Sequence, residues 1–124
     1  MEHKDLTEII IGCAYRIYNE MGFGFLESVY EKCMLIELFN SNLKAESQKP
    51  VTVYYKNKVV GKFIADIIVN DIIIIELKSV RKIINIHEVQ LVNYLVATGK
   101  PVGLIINFGE STVEVKRKVR KLIG

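Results

Sequence analysis

The sequence has few of the residues from which disulfide and zinc scaffolds are built. Its two cysteines, Cys13 and Cys33, each lie inside a predicted helix, and neither belongs to a C-x-x-C pair. This pattern argues against a disulfide framework or a zinc knuckle and favours buried thiols that pack as small apolar side chains. The two histidines, His3 and His87, are too few and too far apart for a zinc cluster. Any bound metal is therefore expected to have oxygen ligands.

Long apolar runs and low-complexity tracts are also missing. No strictly apolar run exceeds five residues, and Met1 is not followed by a basic segment and an apolar core. We therefore expect neither a signal peptide nor a membrane span, and a soluble, cytoplasmic protein. The 124 residues are 50% hydrophobic and 25% charged, which is ordinary globular composition. This length and composition predict a single domain over residues 1–124.

The stretch richest in isoleucine and valine, residues 64–78, contains three isolated charged side chains, Asp66, Glu76 and Lys78. β-Branched residues at this density predict buried strands, and an Asn-Asp dipeptide predicts the turn between two of them. Glu76 and Lys78 are two residues apart and therefore share one face of their strand. Because buried charges are normally paired or coordinated, these two side chains require partners.

The length of the turn decides whether Asp66 lies opposite Glu76. A two-residue loop would place Asp66 opposite Ile75, with its side chain on the other face of the sheet. A three-residue loop at 70–72, or one bulge, would place it opposite Glu76. We predict the second arrangement, in which two carboxylates and an ammonium suit a hard divalent cation beside a phosphate. A Glu–Lys pair at a solvated strand end is the alternative, and these residues alone leave the two about equally balanced.

Hydrophobic periodicity predicts an α/β domain with a mixed sheet, in the order ααβββ(β)αβ(α). Two N-terminal helices precede a β-meander, a crossover helix, a final strand and a short basic C-terminal helix. Residues 112–115, before that helix, are a candidate for a further extended or paired segment. The predicted helices cover residues 5–21, about 26–41 and 86–98, with Asn85 as the cap of the third, and the predicted strands cover residues 43–47, 51–55, 59–69, 72–78 and 102–108. A strand-helix-strand unit in one sheet implies a right-handed parallel connection.

Three further polar residues have both structural and functional interpretations. Glu27 follows a glycine turn and begins the second helix, where it either complements the helix dipole or points into a site. Gln90 and Tyr94 are four residues apart and therefore neighbours on one stripe of the third helix. An amide and a phenol in such positions usually satisfy backbone groups. Their helix directly follows the Glu-x-Lys strand, which favours the functional interpretation.

The net charge is +3, and basic residues concentrate near the C-terminus. The cluster consists of Lys116, Arg117, Lys118, Arg120 and Lys121. A solvated helix face, whose cations complement the helix dipole, explains such a cluster. A nucleic-acid-binding patch that contacts phosphates is the alternative, and composition alone favours the solvated face about two to one.

In this order along the chain, these residues resemble the PD-(D/E)xK nuclease superfamily and, within it, the small GxxExxY family. The matching residues are Gly24, Glu27 and Tyr30 in the naming motif, Asp66, Glu76 and Lys78 in the nuclease signature, and Gln90 and Tyr94 in a Q-x-x-x-Y motif similar to that of RecB-like and lambda-exonuclease-like nucleases. The resemblance covers nearly the whole chain. One departure is Ala65, which stands where the superfamily name has proline.

The resemblance implies a restriction-endonuclease-like fold and a Mg²⁺- or Mn²⁺-dependent nuclease that cleaves phosphodiester bonds of nucleic acid, with DNA the expected substrate. In that family pattern, Asp66 and Glu76 would bind the metal, with Glu27 as an extra ligand, directly or through water. Lys78 would position the attacking water or stabilise the charge on the phosphate. Gln90 and Tyr94 would hold the phosphate or orient the water.

Two other classes of protein fit the same fold. One is a catalytically silent nucleic-acid-binding module, and the other is an oligomeric interaction domain that binds no nucleic acid. A chain of this size also leaves little room for a separate target-reading domain, so a homodimer or a recruiting protein partner is expected.

Overall fold

Three helices and five strands make up the structure, a computed structural model that describes residues 3–120. The elements are α1 (Lys4–Met21), α2 (Glu27–Asn40), β1 (Ala45–Tyr55), β2 (Lys58–Val69), β3 (Ile73–Lys78), α3 (Asn85–Thr98), β4 (Val102–Phe108) and β5 (Val113–Val119). The predicted α/β class, with two N-terminal helices and a crossover helix, is confirmed. Within residues 3–120, no helix combines the length and apolarity needed to span a bilayer.

The five strands form one mixed sheet in the spatial order β1-β2-β3-β4-β5. Its pairs are antiparallel except β3–β4, which is parallel and connected through α3. Val69 pairs with Ile73, so the β2–β3 loop has three residues, as predicted. Two of them, Asn70 and Asp71, have positive φ values of 51° and 57°, a conformation that Asn and Asp tolerate better than most residues.

The sheet separates two hydrophobic cores. Alternate residues of β3 and β4, such as Ile75 and Leu104, pack against α1 and α2 on one face. Their neighbours, such as Ile74 and Ile105, pack against α3 on the other. Burial on both faces explains why these strands are apolar at consecutive positions rather than alternating.

The N-terminal half of the meander differs from the prediction. The two short strands expected at 43–47 and 51–55 are one continuous strand, β1, which contains Pro50. Because β1 lies at the edge of the sheet, a proline there costs no ladder hydrogen bond on its open side. At the start of α3 the N-cap is Ile84 rather than Asn85, and the Ile84 N–H donates to His87 Nδ1 at 3.3 Å.

The prediction of a short basic helix at the C-terminus is wrong for the residues that the structure describes. Residues 113–119 form β5, which pairs antiparallel with β4 along its whole length. Val113 and Val115 alternate with polar residues and pack against the core of α1 and α2. This period of two is the signal of a half-buried strand, and it outweighs the suitability of lysine and arginine for helices.

Candidate active site

The side-chain alternation of β2 is interrupted at Asp66. Ile67 packs in the core on the α1 and α2 side, whereas Ala65, two residues earlier, packs on the α3 side. In a regular strand, residues two apart face the same way. Gln48, which lies opposite Asp66 in the β1–β2 register, has a left-handed φ of 51°. Both strands therefore bend at the level of Asp66.

The β2–β3 ladder also ends here. Its last backbone pair is Ile67 with Ile75, and the next step along the same register puts Asp66 opposite Glu76. Asp66 Oδ2 accepts the backbone N–H of Leu77 at 2.9 Å. A side-chain carboxylate thus takes the place of a backbone partner where β2 leaves β3. The backbones of β2 and β3 are no longer paired beyond this point, which we call the opening of the sheet, and the Asp66 carboxylate lies there.

Among the residues of the site, Glu76 has the pKa that departs furthest from its ordinary value. Its Oε1 is inaccessible to solvent and accepts no hydrogen bond from any residue in the described part of the chain. Burial, followed by the nearby Asp66 charge, raises the pKa of Glu76 to about 9, and the charge of Lys78 opposes the rise. A buried oxygen with free lone pairs, beside a second carboxylate, is a donor set that suits a hard divalent cation.

Lys78 follows two residues after Glu76 on the same strand, and it is partly exposed. The loop that follows it is held by Asn107, a fully buried residue of β4. The Asn107 amide accepts the Val80 N–H at 2.9 Å and donates to the Val80 carbonyl at 2.8 Å and to Glu114 Oε1 at 3.0 Å. Buried polar groups need such partners, and here they fix the chain immediately beyond Lys78.

The phenol of Tyr94, on α3, is influenced by the charges of both Glu76 and Asp66. Burial and then the charges of Glu76 and Asp66 raise the pKa of its phenol. Its ring stacks on Phe63 of β2, with centroids 3.8 Å apart and planes 9° apart. Gln90, one helical turn earlier, has an exposed side chain. The structure therefore places Tyr94 near enough to the carboxylates for their charges to act on its phenol, and it leaves Gln90 facing solvent.

Glu27, the first residue of α2, is exposed. Together with Asp66 it lines a cavity of about 310 Å³, whose other lining residues are Ser28, Glu31, Gln48 and Leu77. Over residues 3–120, no three His, Cys, Asp or Glu side chains are grouped closely enough to hold a metal. The predicted set of Asp66, Glu76 and Glu27 is thus not assembled as one coordination sphere. Asp66 and Glu76 lie together, and Glu27 shares only the cavity.

Tyr30, the last residue of the Gly-x-x-Glu-x-x-Tyr motif, organises the turn before Glu27. Its hydroxyl donates to the Gly22 carbonyl and accepts the Phe25 N–H at 3.3 Å. Its buried ring stacks on Phe108 of β4, with centroids 4.1 Å apart and planes 4° apart. The motif tyrosine therefore anchors the loop from which α2 and Glu27 begin.

Sequence reasoning missed four residues of the cavity wall, Ser28, Glu31, Gln48 and Leu77, and two of these are joined by a hydrogen bond. Gln48 Nε2 donates to Glu31 Oε1 at 2.6 Å, which connects β1 to α2 beside Asp66. Glu31 lies four residues after Glu27, so helical spacing could have placed both on one face. Nothing in the sequence marks Gln48, because a left-handed glutamine inside a strand has no compositional signal.

The basic residues near the C-terminus do not form one face. Because β5 is a strand, Lys116 and Lys118 alternate with Arg117 across the sheet. Lys118 forms an ion pair with Glu88 of α3 at 2.7 Å, and Lys116 is exposed. Arg120 follows the strand, and Lys121 lies outside the described residues. The predicted patch is therefore divided between two faces.

Comparison with known proteins identifies the family to which the chain belongs. A family model for the PD-(D/E)XK nuclease superfamily matches residues 4–120. The solved crystal structure of SSO0001 is similar with a TM-score of 0.60 at 21% sequence identity, and the match covers 96% of this chain and 60% of that one. The chain thus spans about 60% of the length of SSO0001, and the likeness shows the fold alone. No curated protein sequence matches the chain.

Proposed function

The chain belongs to the PD-(D/E)XK nuclease superfamily, and on this premise we propose that it is a metal-dependent nuclease that hydrolyses phosphodiester bonds in DNA. We place it in the GxxExxY family because Gly24, Glu27 and Tyr30 occupy the naming positions. The observation that carries the proposal is the buried, unpartnered Glu76 oxygen beside Asp66, at the point where the sheet opens. A cation there would favour the ionised form of Glu76 and compensate its charge together with that of Asp66.

Asp66 and Glu76 are the residues that would hold Mg²⁺ or Mn²⁺. Such an ion prefers few carboxylates and keeps several waters, so two protein ligands suffice. When bound, the ion lowers the pKa of a water and offsets charge on the scissile phosphate. Glu27 is separated from the pair but shares the cavity with Asp66, so its role would be to hydrogen-bond a water there.

Lys78 and Tyr94 would act on the phosphate. The Lys78 ammonium lies close enough to Glu76 to lower its pKa, and it would stabilise negative charge that develops on the phosphate. The raised pKa of Tyr94 keeps its phenol protonated and able to donate a hydrogen bond. The exposed amide of Gln90, on the same stripe of α3, would contact the nucleic acid outside the opening.

Cleavage of labelled single-stranded, double-stranded and flapped DNA, and of RNA, with Mg²⁺ or Mn²⁺ tests the proposal. The wild type should cut DNA, and a chelator should stop it. Asp66→Asn, Glu76→Gln and Lys78→Met should each lower the rate by roughly 100-fold or more, the usual scale for removing a group that stabilises developing charge.

Glu8→Gln, an exposed substitution on α1, is the matched control and should cut at the wild-type rate. Failure of the wild type to cut any of these substrates, or normal cutting by the three site variants, would overturn the proposal. Salt-sensitive binding without cleavage, unchanged by Glu76→Gln, would instead identify a silent nucleic-acid-binding module.

A further inference from the structure

The hairpin formed by β1 and β2 extends beyond the rest of the sheet. β2 pairs with β3 only over residues 67–69, so residues 49–65 pair only with each other. We call residues 49–65 the ribbon. The stack of Phe63 on Tyr94 attaches the base of the ribbon to α3, three residues from Asp66. The ribbon thus begins at the candidate active site and projects away from it by about 25 Å, at roughly 3.3 Å per residue.

The charge of the ribbon is all of one sign. It contains Lys49, Lys56, Lys58 and Lys62, and neither Asp nor Glu. These four charges exceed the +3 of the whole chain, so the remainder of the chain is net acidic. Lys49 is paired with Glu46 at 2.6 Å, whereas the other three form no ion pair with a carboxylate in the described part of the chain. The ribbon is therefore a basic surface with no acidic residue of its own.

Apolar side chains on the ribbon are exposed as well. Tyr54 and Tyr55 are 64% and 63% exposed close to the turn, and Val59, Val60 and Ile64 also lie in solvent. Lys56 lies 5.4 Å from the centre of the Tyr55 ring. Aromatic rings interleaved with unpaired lysines complement a polymer that has flat apolar bases and charged phosphates.

We propose that the ribbon is an arm that binds single-stranded nucleic acid and leads it to the candidate active site. Because side chains alternate along a strand, Tyr55 and its cross-strand partner Lys58 share one face of the ribbon, while Tyr54 and Lys62 lie on the other. Each face thus offers a ring that stacks on an unpaired base and a lysine that binds a phosphate, and Lys56 in the turn binds a further phosphate. This inference rests on the proposed function and specifies its substrate class. Exposed rings favour single strands over duplex, because bases in a duplex are already stacked on each other.

Two simpler explanations account for only one of the two features of the ribbon, either its lysines or its exposed tyrosines. Lysines on open strands hinder edge-to-edge aggregation, but that role does not require two exposed tyrosines beside them. Self-association through the ribbon would bury the tyrosines, but it would also bring the lysines of two copies together without acidic residues between them. Single-stranded nucleic acid has bases that can stack on the tyrosines and phosphates that can bind the lysines, so it accounts for both features.

Binding of a fluorescently labelled 20-nucleotide single strand, and of its duplex, measured by anisotropy in EDTA, separates recognition from cleavage. Lys58→Gln/Lys62→Gln should weaken single-strand binding roughly tenfold and reduce the slope of log K against log salt by about 1.4, from about 0.7 per lost phosphate contact. The matched control Lys4→Gln/Lys44→Gln removes the same charge from exposed lysines outside the ribbon and should change binding less than about twofold.

Tyrosine variants test stacking separately from charge. Tyr54→Ala/Tyr55→Ala should lose roughly tenfold or more in affinity, whereas Tyr54→Phe/Tyr55→Phe, which keeps the rings, should bind like the wild type. Wild-type binding by both ribbon variants, or tighter binding of the duplex than of the single strand, overturns the inference. Sedimentation showing a dimer that only the Ala variant dissociates, with binding unchanged, also overturns it. Because no cleavage is measured, these outcomes are independent of the proposed nuclease activity.

Discussion

Asp66 Oδ2 accepts the backbone N–H of Leu77 at 2.9 Å, just beyond Ile67 and Ile75, the last backbone pair between β2 and β3. The hydrogen bond holds the carboxylate against the neighbouring strand before any ligand arrives. Such preorganisation is valuable in a site that must place charge accurately, because little reorientation is then required on binding. It also makes Asp66 a structural residue, so Asp66→Asn, which keeps an acceptor, is a better probe than Asp66→Ala.

Divalent metal should stabilise the folded protein through Asp66 and Glu76. At a concentration 100 times its Kd, a ligand that binds only the native state adds about 2.7 kcal/mol to the free energy of unfolding. We therefore expect Mg²⁺ or Mn²⁺ to raise the Tm of the wild type in thermal unfolding. Asp66→Asn and Glu76→Gln should lose most of this rise, while Glu8→Gln should keep it. An equal rise in all four proteins would place the metal elsewhere.

Without metal, the stability of the protein should depend on the protonation of Glu76. Its pKa of about 9 in the folded protein is above the ordinary value of 4.5. Between these values the folded state holds more protons than the unfolded state, so the free energy of unfolding should fall as pH rises from about 5 to about 9. Urea unfolding in EDTA measures this slope. Glu76→Gln should flatten it, and a variant with the same slope as the wild type would contradict the assignment.

Asn107 should matter for stability and for the position of Lys78. Asn107→Ala removes the partners of the buried Val80 N–H and carbonyl, which is expected to cost about 2 kcal/mol in the free energy of unfolding. Cleavage should also slow, because the loop after Lys78 loses its anchor. Asn93→Ala, an exposed change on α3, is the control and should stay within about 0.5 kcal/mol. Equal stability of the two variants in urea unfolding would refute this role.

Tyr30 should affect the rate of cleavage because its hydroxyl holds the turn before Glu27. Tyr30→Phe keeps the ring stack on Phe108 but removes the partner of the Gly22 carbonyl and the Phe25 N–H. We expect a loss of about 1 kcal/mol in stability, together with a lower rate of cleavage in the folded variant. Tyr15→Phe, whose hydroxyl makes only a 3.5 Å hydrogen bond, is the matched control. A Tyr30→Phe enzyme with the wild-type rate would show that the turn does not position a catalytic group.

Several features of the fold follow from local pattern. The stripe in α1, the presence of a turn at Asn70-Asp71 and the placement of Glu76 and Lys78 on one face each depend on a few neighbouring residues. Helical and strand periodicities are short-range properties, so they can be read without knowing what packs against them. The alternation of Val113 and Val115 likewise favours an extended segment, whereas the charges of the lysine-rich residues that follow favour a helix. The helix prediction is wrong because those residues continue the same strand, β5.

By itself, the sequence determined the two periodicities and the placement of Glu76 and Lys78 on one face of their strand, and it allowed either a two-residue or a three-residue loop before that strand. Only the tertiary structure decided that the loop has three residues, so that the ladder ends at Ile67 and Ile75, just before Asp66 and Glu76. It also decided that Glu27 lines the cavity with Asp66 without joining the carboxylate pair, and that Phe63 stacks on Tyr94. These relationships join residues that are far apart in the chain. Their geometry depends on how helices and strands pack in three dimensions, which alternation along one segment does not specify.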